Sequence, residues 1–194
     1  MQQLVMFNGP PRAGKDTAGE ICRSLIGDMA HADFVKFTTS IKNAAHQELG
    51  LAGDAHAFED LKDTPLSEFR GMSPREFYID KSERLRAEHG YDIVARLLVR
   101  SLETVDADIV VNTDLGMDYE ADHLIRHFGA ENTTLVRIHR DGHTFDDDCR
   151  EFVYRDDVDS FDVSNTSFED FERCVDPILD TVLQRVRAHQ VQPA

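Results

Sequence analysis

The run Asn8-Gly9-Pro10-Pro11-Arg12-Ala13-Gly14-Lys15-Asp16-Thr17 constrains this chain more than any other stretch, because a glycine-framed loop ending in Gly-Lys lies between an apolar run and a helix start. Residues 4–7 supply the apolar run, read as a buried strand. Gly9 and Gly14 let the backbone turn its N–H groups inward, and Lys15 opens an amphipathic segment whose N-terminus would face an anion. Thr17, Ala18, Ile21, Cys22, Leu25 and Ile26 recur at helical spacing, so one stripe can pack on a sheet while Glu20 and Arg23 face out. A phosphate-binding loop of this pattern carries Ser or Thr directly after the lysine as a Mg2+ ligand. Here Asp16 holds that position, with Thr17 behind it.

At 194 residues the chain suits one domain able to bury a core without disulfides or structural metals. Cys22, Cys149 and Cys174 are few and odd in number, which fits inert reduced thiols in a cytoplasmic protein. No basic segment followed by a long apolar run opens the sequence, and no stretch reads as a membrane span, so a soluble, unexported protein is expected. The formal net charge is -16, from 37 acidic and 21 basic residues, which disfavours a large nucleic-acid footprint. A small phosphate ligand needs only a local cluster of cations and helix N-termini inside such an acidic shell.

Strand and helix signals alternate along the chain, with no repeat or Gly/Ser linker, which predicts an α/β fold with a mostly parallel sheet. Short strands are predicted at 34–37, 108–112, 133–138 and 161–163, and helices after 37, from 74 to 89, over 92–102, over 118–128 and after Ser167, the last kinked by Pro177. Ser73-Pro74-Arg75-Glu76 is a capping-box helix opening. Residues 51–71 read as a loop or mobile flap, within an acceptor-side insertion over about 51–90, and residues 139–160 as a lid-like loop.

Ligands of parallel α/β sheets bind outside the carboxyl ends of the strands, where the loops after Phe7, Phe37 and Asn112 should meet. Lys15 is the charge partner expected for β and γ phosphates, the backbone of residues 12–17 supplies N–H donors, and the Thr17 hydroxyl can reach a phosphate or a metal-bound water. Asp16 fits a metal shell or a proton acceptor, and equally an acid favoured by the helix dipole. Asp114 is placed as an acid for Mg2+ or an acceptor hydroxyl, or as a cap for the helix that follows. Arg12, Arg75, Arg84, Arg86, Arg96, Arg137 and Arg140 are candidate phosphate clamps, Arg75 foremost, because a monophosphate could meet both its guanidinium and a helix N-terminus. His123 with His127 and His139 with His143 have a spacing that can hold zinc on a helix, but lack the glutamate of a His-Glu-x-x-His pattern.

These residues resemble the bacteriophage deoxynucleoside monophosphate kinases of the P-loop nucleoside monophosphate kinase superfamily. Residues 9–17 look like that family's phosphate loop, Phe37 to Lys42 is similar to its second-strand segment, Gly71-Met72-Ser73-Pro74-Arg75 resembles its acceptor-side helix opening, and Asp162 to Ser167 resembles its terminal Asn-x-Ser element. The resemblance implies a single three-layer α/β/α P-loop kinase domain over residues 1–194, in the host cytoplasm if phage-encoded. It implies ATP and Mg2+ as the donor system and γ-phosphoryl transfer to a deoxynucleoside 5′-monophosphate. Gly9, Arg12, Ala13, Gly14, Lys15, Asp16, Thr17 and Asn165 would then hold ATP, with Asp16, Thr17 and Asp114 at the metal, Lys15, Asp16 and Asp114 in catalysis, and Lys42, Arg75, Arg96 and Arg140 at the acceptor. The family's Asp-x-Arg after the third strand is Asp114-Leu115-Gly116 here, so a substrate-side arginine is missing. That departure motivates two further readings: a kinase acting on 5-hydroxymethyluracil in phage DNA, and a non-catalytic nucleotide-binding module. A homodimer is open to any of the three, and no membrane partner is expected.

Overall fold

The computed structural model describes residues 2–52 and 56–191. The chain divides into two compact units, Met1–Val35 with Leu102–Ala194, and Lys36–Ser101. In the first, strands β1 (Gln3–Asn8), β2 (Ala32–Val35), β3 (Ile109–Leu115), β4 (Thr133–His139) and β5 (Asp159–Ser164) form one sheet in the order β2-β3-β1-β4-β5. Every pairing in it is parallel. Helix α1 (Lys15–Ile26) links β1 to β2 in one direction across the sheet and α5 (Asp118–Phe128) links β3 to β4 in the other. Right-handed crossovers therefore put these two helices on opposite faces, giving the expected three-layer α/β/α architecture.

Strand alternation matches that division. Val5, Phe7, Val111, Val136 and Ile138 share one buried cluster with Ile21 and Cys22 of α1 and with Phe171, Val175 and Leu179 of α6 (Phe168–Val191). The intervening Leu4, Met6, Val110 and Leu135 are equally buried and point to the other face, the side of Ala121, Leu124 and Ile125. Burial pushes the Cys22 thiol up to about 12, so it is inert, whereas Cys149 and Cys174 are exposed. None of the described helices is long and apolar enough to cross a membrane.

The second unit holds α2 (Phe37–Leu49), α3 (Pro74–His89) and α4 (Ile93–Leu102, the last residue of which belongs to the first unit). Its core is aromatic: Phe69 meets Phe58, Phe77 and Tyr78 edge-on with centroids at 4.9, 5.8 and 5.7 Å. The α3 cap forms as predicted, with Ser73 Oγ accepting from the Glu76 N–H at 3.3 Å and Glu76 Oε2 accepting from the Ser73 N–H at 2.8 Å. Glu48 joins α2 to the segment 70–84 by accepting from Lys81 and Arg84 and facing Arg70, and those bonds, Lys81 first, hold its carboxyl down to about 2.

The last strand, expected at 161–163, is Asp159–Ser164, and three further departures from the sequence reading are larger. The second strand is Ala32–Val35 rather than 34–37, because Lys36 is extended and Phe37 turns its buried ring into the first turn of α2. The predicted flap contains one-turn 3-10 helices at Glu59–Leu61 and Ser67–Phe69, while its residues 53–55 lie outside the described residues. The third strand runs on to Leu115, so Asp114 lies within it. Met6 pairs with Asn112 but Asn8 with Leu115, one residue further along than a regular ladder would place it. That bulge re-aims the side chains of 113–114 at the carboxyl edge of the sheet.

Candidate active site

The loop between β1 and α1 takes the shape its glycines predict. Arg12 and Gly14 both have positive φ, 62° and 111°, so successive N–H groups turn to a common side. Gly14 stands at the N-cap of α1, where it offers no side chain to close the helix end. The Lys15 ammonium folds back over the loop and donates to the carbonyls of Gly9 at 2.5 Å and Pro10 at 2.9 Å. Two residues from distant segments brace it: Asn165 Nδ2 donates to the Ala13 carbonyl at 2.8 Å, and Arg140 Nη1 to the Arg12 carbonyl at 3.0 Å.

Burial, then the positive charge of Arg150, lowers the Lys15 amine to about 8, against a partial counter-effect from Asp16, Asp114 and Asp148. The sequence-predicted Lys15, Asp16 and Asp114 are thus within electrostatic reach of one another. Above about 8 the folded lysine is neutral while the unfolded one, with its ordinary value of 10.5, still binds a proton. The unfolded state then binds more protons, so stability rises with pH between those two values. Urea denaturation of the free protein at pH 8 and pH 10 is expected to show that rise, and a Lys15→Met protein to lack the part due to Lys15.

Glu120 closes the start of α5, accepting from the N–H groups of Gly116 at 3.0 Å and Met117 at 3.1 Å. Asp114 accepts from Asn112 Nδ2 at 3.1 Å. Asn8, at the end of β1, ties the strand ends to the 139–160 segment: its Nδ2 donates to the carbonyls of Leu115 and Glu151 at 3.0 and 3.1 Å, and its Oδ1 accepts from the Val153 N–H at 2.9 Å. Asp148 and Arg150 of that segment complete the charge cluster, with Arg150 Nε and Nη2 donating to the Asp148 carboxylate at 2.9 and 2.6 Å. Sequence reasoning missed Asn8, Asp148 and Arg150. Asp148-Cys149-Arg150 repeats the very Asp-x-Arg spacing that is absent after β3, a signal open to inspection.

Within the second unit, α2, α3 and the turn at 56–62 enclose a cavity of about 680 Å3. Its wall carries the cations Lys36, Lys42, Lys62, Arg75 and Arg86 against the carboxylates Glu59 and Glu83, a positive interior in a protein of charge -16. The predicted Lys42 and Arg75 meet there. Arg96 does not line this cavity; it donates to the His89 carbonyl at 2.5 Å and faces Asp92 at 3.3 Å. Arg140 belongs to the phosphate-loop cluster of the first unit.

Arg75 is placed otherwise than the sequence implied. Lys62 O accepts from the Arg75 N–H at 3.0 Å, Ser73 takes the N–H groups of Glu76 and Phe77, and Pro74 has none, so the α3 terminus has little left for an anion. Arg75 contributes its guanidinium alone, held by Asp63 at 2.6 Å. Lys42 and Lys62 share Glu59 at 2.9 and 2.7 Å, bonds that hold its carboxyl down to about 2, the one from Lys62 first. Arg86 differs from these: its Nε is buried and has no hydrogen-bond partner among the described residues. An orphaned buried donor costs about 1–3 kcal/mol, so this one calls for an acceptor from outside the protein. Tyr78, bonded through its hydroxyl to His46 Nε2 at 2.8 Å, adds an aromatic wall. Among the described residues no group of three or more His, Cys, Asp or Glu side chains forms a metal cluster.

No protein-family model matches the chain, and no curated protein matches it. Among solved structures, a gluconokinase from Sinorhizobium meliloti 1021 is similar, with a TM-score of 0.46 and 12% sequence identity over 98% of this chain and 98% of that one.

Proposed function

We propose that the protein transfers the γ-phosphoryl group of ATP to a deoxynucleoside 5′-monophosphate, giving the diphosphate. The observation that carries this reading is the loop at 9–17, whose left-handed Arg12 and Gly14 and half-buried Lys15 form a cradle for a polyphosphate. ATP is assigned to that loop, and the acceptor to the cationic cavity of the second unit, whose volume lies in the ~300–1,000 Å3 range of small-molecule sites. Asp16, Thr17 and Asp114 are the residues suited to Mg2+, either directly or through water. Hard oxygen donors of this kind are what that ion takes. Bound there, Mg2+ would supply neutralisation of the β and γ oxygens.

The chemistry of the acceptor assigns the carboxylates. A phosphomonoester loses its second proton near pH ~6, so at neutral pH its attacking oxygen is already an anion. The bond from γ-phosphorus to the bridging oxygen breaks, leaving ADP, and the new bond forms to that oxygen, with no proton to remove. Asp16 and Asp114 are therefore assigned to the metal rather than to base catalysis. Lys15 draws the donor phosphates into position, and exclusion of water protects the transfer from hydrolysis. A hydroxymethyl group in DNA would need a base, and a mononucleotide-sized cavity does not favour a duplex.

Incubation with labelled ATP, Mg2+ and a panel of deoxynucleoside monophosphates, with hydroxymethyluracil-containing DNA in parallel, tests the reading. Label in a diphosphate is expected. Label in DNA alone rejects the acceptor, and no acceptor-dependent consumption of ATP leaves a nucleotide-binding module. The orphaned guanidinium gives a finer expectation: an Arg86→Ala protein raises the acceptor KM about 10- to 100-fold, the worth of one charge-assisted bond, while ATP affinity stays as it was. An unchanged acceptor KM removes Arg86 from the site.

A further inference from the structure

Helix α3 presents a row of side chains to the cationic cavity at one-turn intervals: Arg75, then Tyr78 and Ile79, then Ser82 and Glu83, then Arg86. The row runs from ionic through apolar to polar and ionic again. A rise of 1.5 Å per residue places Glu83 about 12 Å and Arg86 about 16 Å beyond Arg75 along the helix axis. Around the start of α3 the cations are gathered and paired, Arg75 with Asp63 at 2.6 Å and Lys42 and Lys62 with Glu59 at 2.9 and 2.7 Å. The Arg75 N–H, donating to Lys62 O, joins the two groups. Three cations against two carboxylates make that end of the cavity the place for a phosphate.

At the other end neither ion is met. Glu83 and Arg86 are three residues apart, where opposite charges on a helix can pair, as Asp80 and Arg84 of the same helix do at 2.8 Å. Among the described residues, however, Glu83 makes no hydrogen bond or ion pair, and neither does the Arg86 guanidinium with its buried Nε. The Ser82 hydroxyl beside them is likewise unbonded within the described residues. Ile79, 54% exposed, leaves apolar surface between the two ends that a sugar and a ring face would cover. A phosphate does not suit Glu83, because a dianion next to that carboxylate is repelled. A neutral ring edge with two donors for the carboxylate and two acceptors for the guanidinium satisfies both ions. Guanine alone among the four DNA bases offers it, with N1–H and the N2 amino group side by side and O6 and N7 next to them. Each of the other three bases brings a single donor group.

We propose that Glu83 and Arg86 are the base-reading residues of the cavity and that its acceptor is a guanine deoxynucleotide, with the phosphate among Lys42, Lys62 and Arg75 and the base edge between Glu83 and Arg86. The proposal rests on the acceptor occupying this cavity. Glu83 accepts from N1–H and the N2 amino group, and Arg86 donates to O6 and N7. The two side chains set which base is held, and neither touches the transferred phosphoryl group.

Steady-state transfer from ATP to dGMP, dAMP, dCMP and dTMP tests it, together with dIMP, which lacks the 2-amino group, and 7-deaza-dGMP, which lacks the N7 acceptor. The unaltered protein is expected to favour dGMP in kcat/KM by about 10- to 100-fold over the other three natural acceptors, the discrimination of one good bidentate pair. It should favour dGMP about tenfold or more over each analogue, the loss of one bond to a charged group. Glu83→Ala is expected to erase the difference between dGMP and dIMP while keeping that between dGMP and 7-deaza-dGMP, and Arg86→Ala the reverse. General distortion of the cavity would lower all acceptors together and leave both ratios as they were. Glu83 is exposed, so its variant is expected to fold, and its dGMP to dIMP ratio decides the matter even if Arg86→Ala does not fold. Equal use of the four bases, preference for another base, or an unchanged dGMP to dIMP ratio in Glu83→Ala overturns the base reading and leaves the kinase reading standing. No transfer to any deoxynucleoside monophosphate overturns both.

Discussion

A Lys15→Ala protein is expected to fold, to keep its melting temperature in the absence of ligand, and to lose phosphoryl transfer by about 10²–10³-fold in kcat, the usual loss when one preorganised charge at a developing anion is removed. The two halves of this expectation come from the same observation. Lysine at 15 is held with its ammonium partly desolvated and beside Arg150, a setting that lowers its amine to about 8 and so disfavours its charge in the free protein. Deleting that charge relieves a strain, while the carbonyls of Gly9 and Pro10 lose a donor. The two effects oppose, which is why little net change in stability is expected. The phosphates of ATP reverse the balance, because an anion beside the ammonium restores its proton. ATP at a hundred times its Kd stabilises the unaltered protein by about 2.7 kcal/mol. A thermal-shift titration should show that increment shrinking steeply in Lys15→Ala. A variant that retains both the shift and the turnover would remove Lys15 from the site and with it the reading of the loop.

What could be read from the sequence follows the range of the interactions concerned. The phosphate loop, the α3 capping box and the strand-helix alternation are written in contiguous residues, because each depends on backbone conformations and bonds within a few positions. Asn8 shows where that legibility ends. It lies inside the most informative stretch of the chain, yet its function as a clasp depends on Leu115, Glu151 and Val153, over a hundred positions away. Separation also hid Arg150, whose stem rests on the backbone of Gly116. Arg75 went wrong for the converse reason. A free helix N-terminus was a fair inference from Ser73 and Pro74, but the carbonyl of Lys62, thirteen residues earlier (75 minus 62), reaches the Arg75 N–H. Phe37 misled locally, since a phenylalanine beside Val35 suits a strand as well as it suits a buried first helical turn.

The strongest structural prediction concerns Gly14, where two independent constraints meet. Its φ of 111° and ψ of 22° lie in a region that a side chain adopts at a cost of about 1–3 kcal/mol. A Cβ there would also approach Asn165 Nδ2 to 2.3 Å, a contact that only a shift of Asn165 can relieve. Such a shift breaks the 2.8 Å bond from Asn165 to the Ala13 carbonyl, which contributes about 0.5–1.5 kcal/mol. Gly14→Ala is therefore expected to destabilise the first unit by about 1.5–4.5 kcal/mol, the sum of these two terms, and to weaken ATP binding at least tenfold, because the turned N–H groups of the loop lose their common direction. Asn165→Ala alone removes the bond and opens the space, so it should cost only about 1 kcal/mol. In the double variant the clash is gone while the unfavourable φ remains, so the cost should fall well below the sum of the two single changes. Urea denaturation of the four proteins measures that cycle. Strict additivity would mean that Asn165 does not press on Gly14, and a Gly14→Ala protein with native stability and ATP affinity would mean that the loop does not need its left-handed turn.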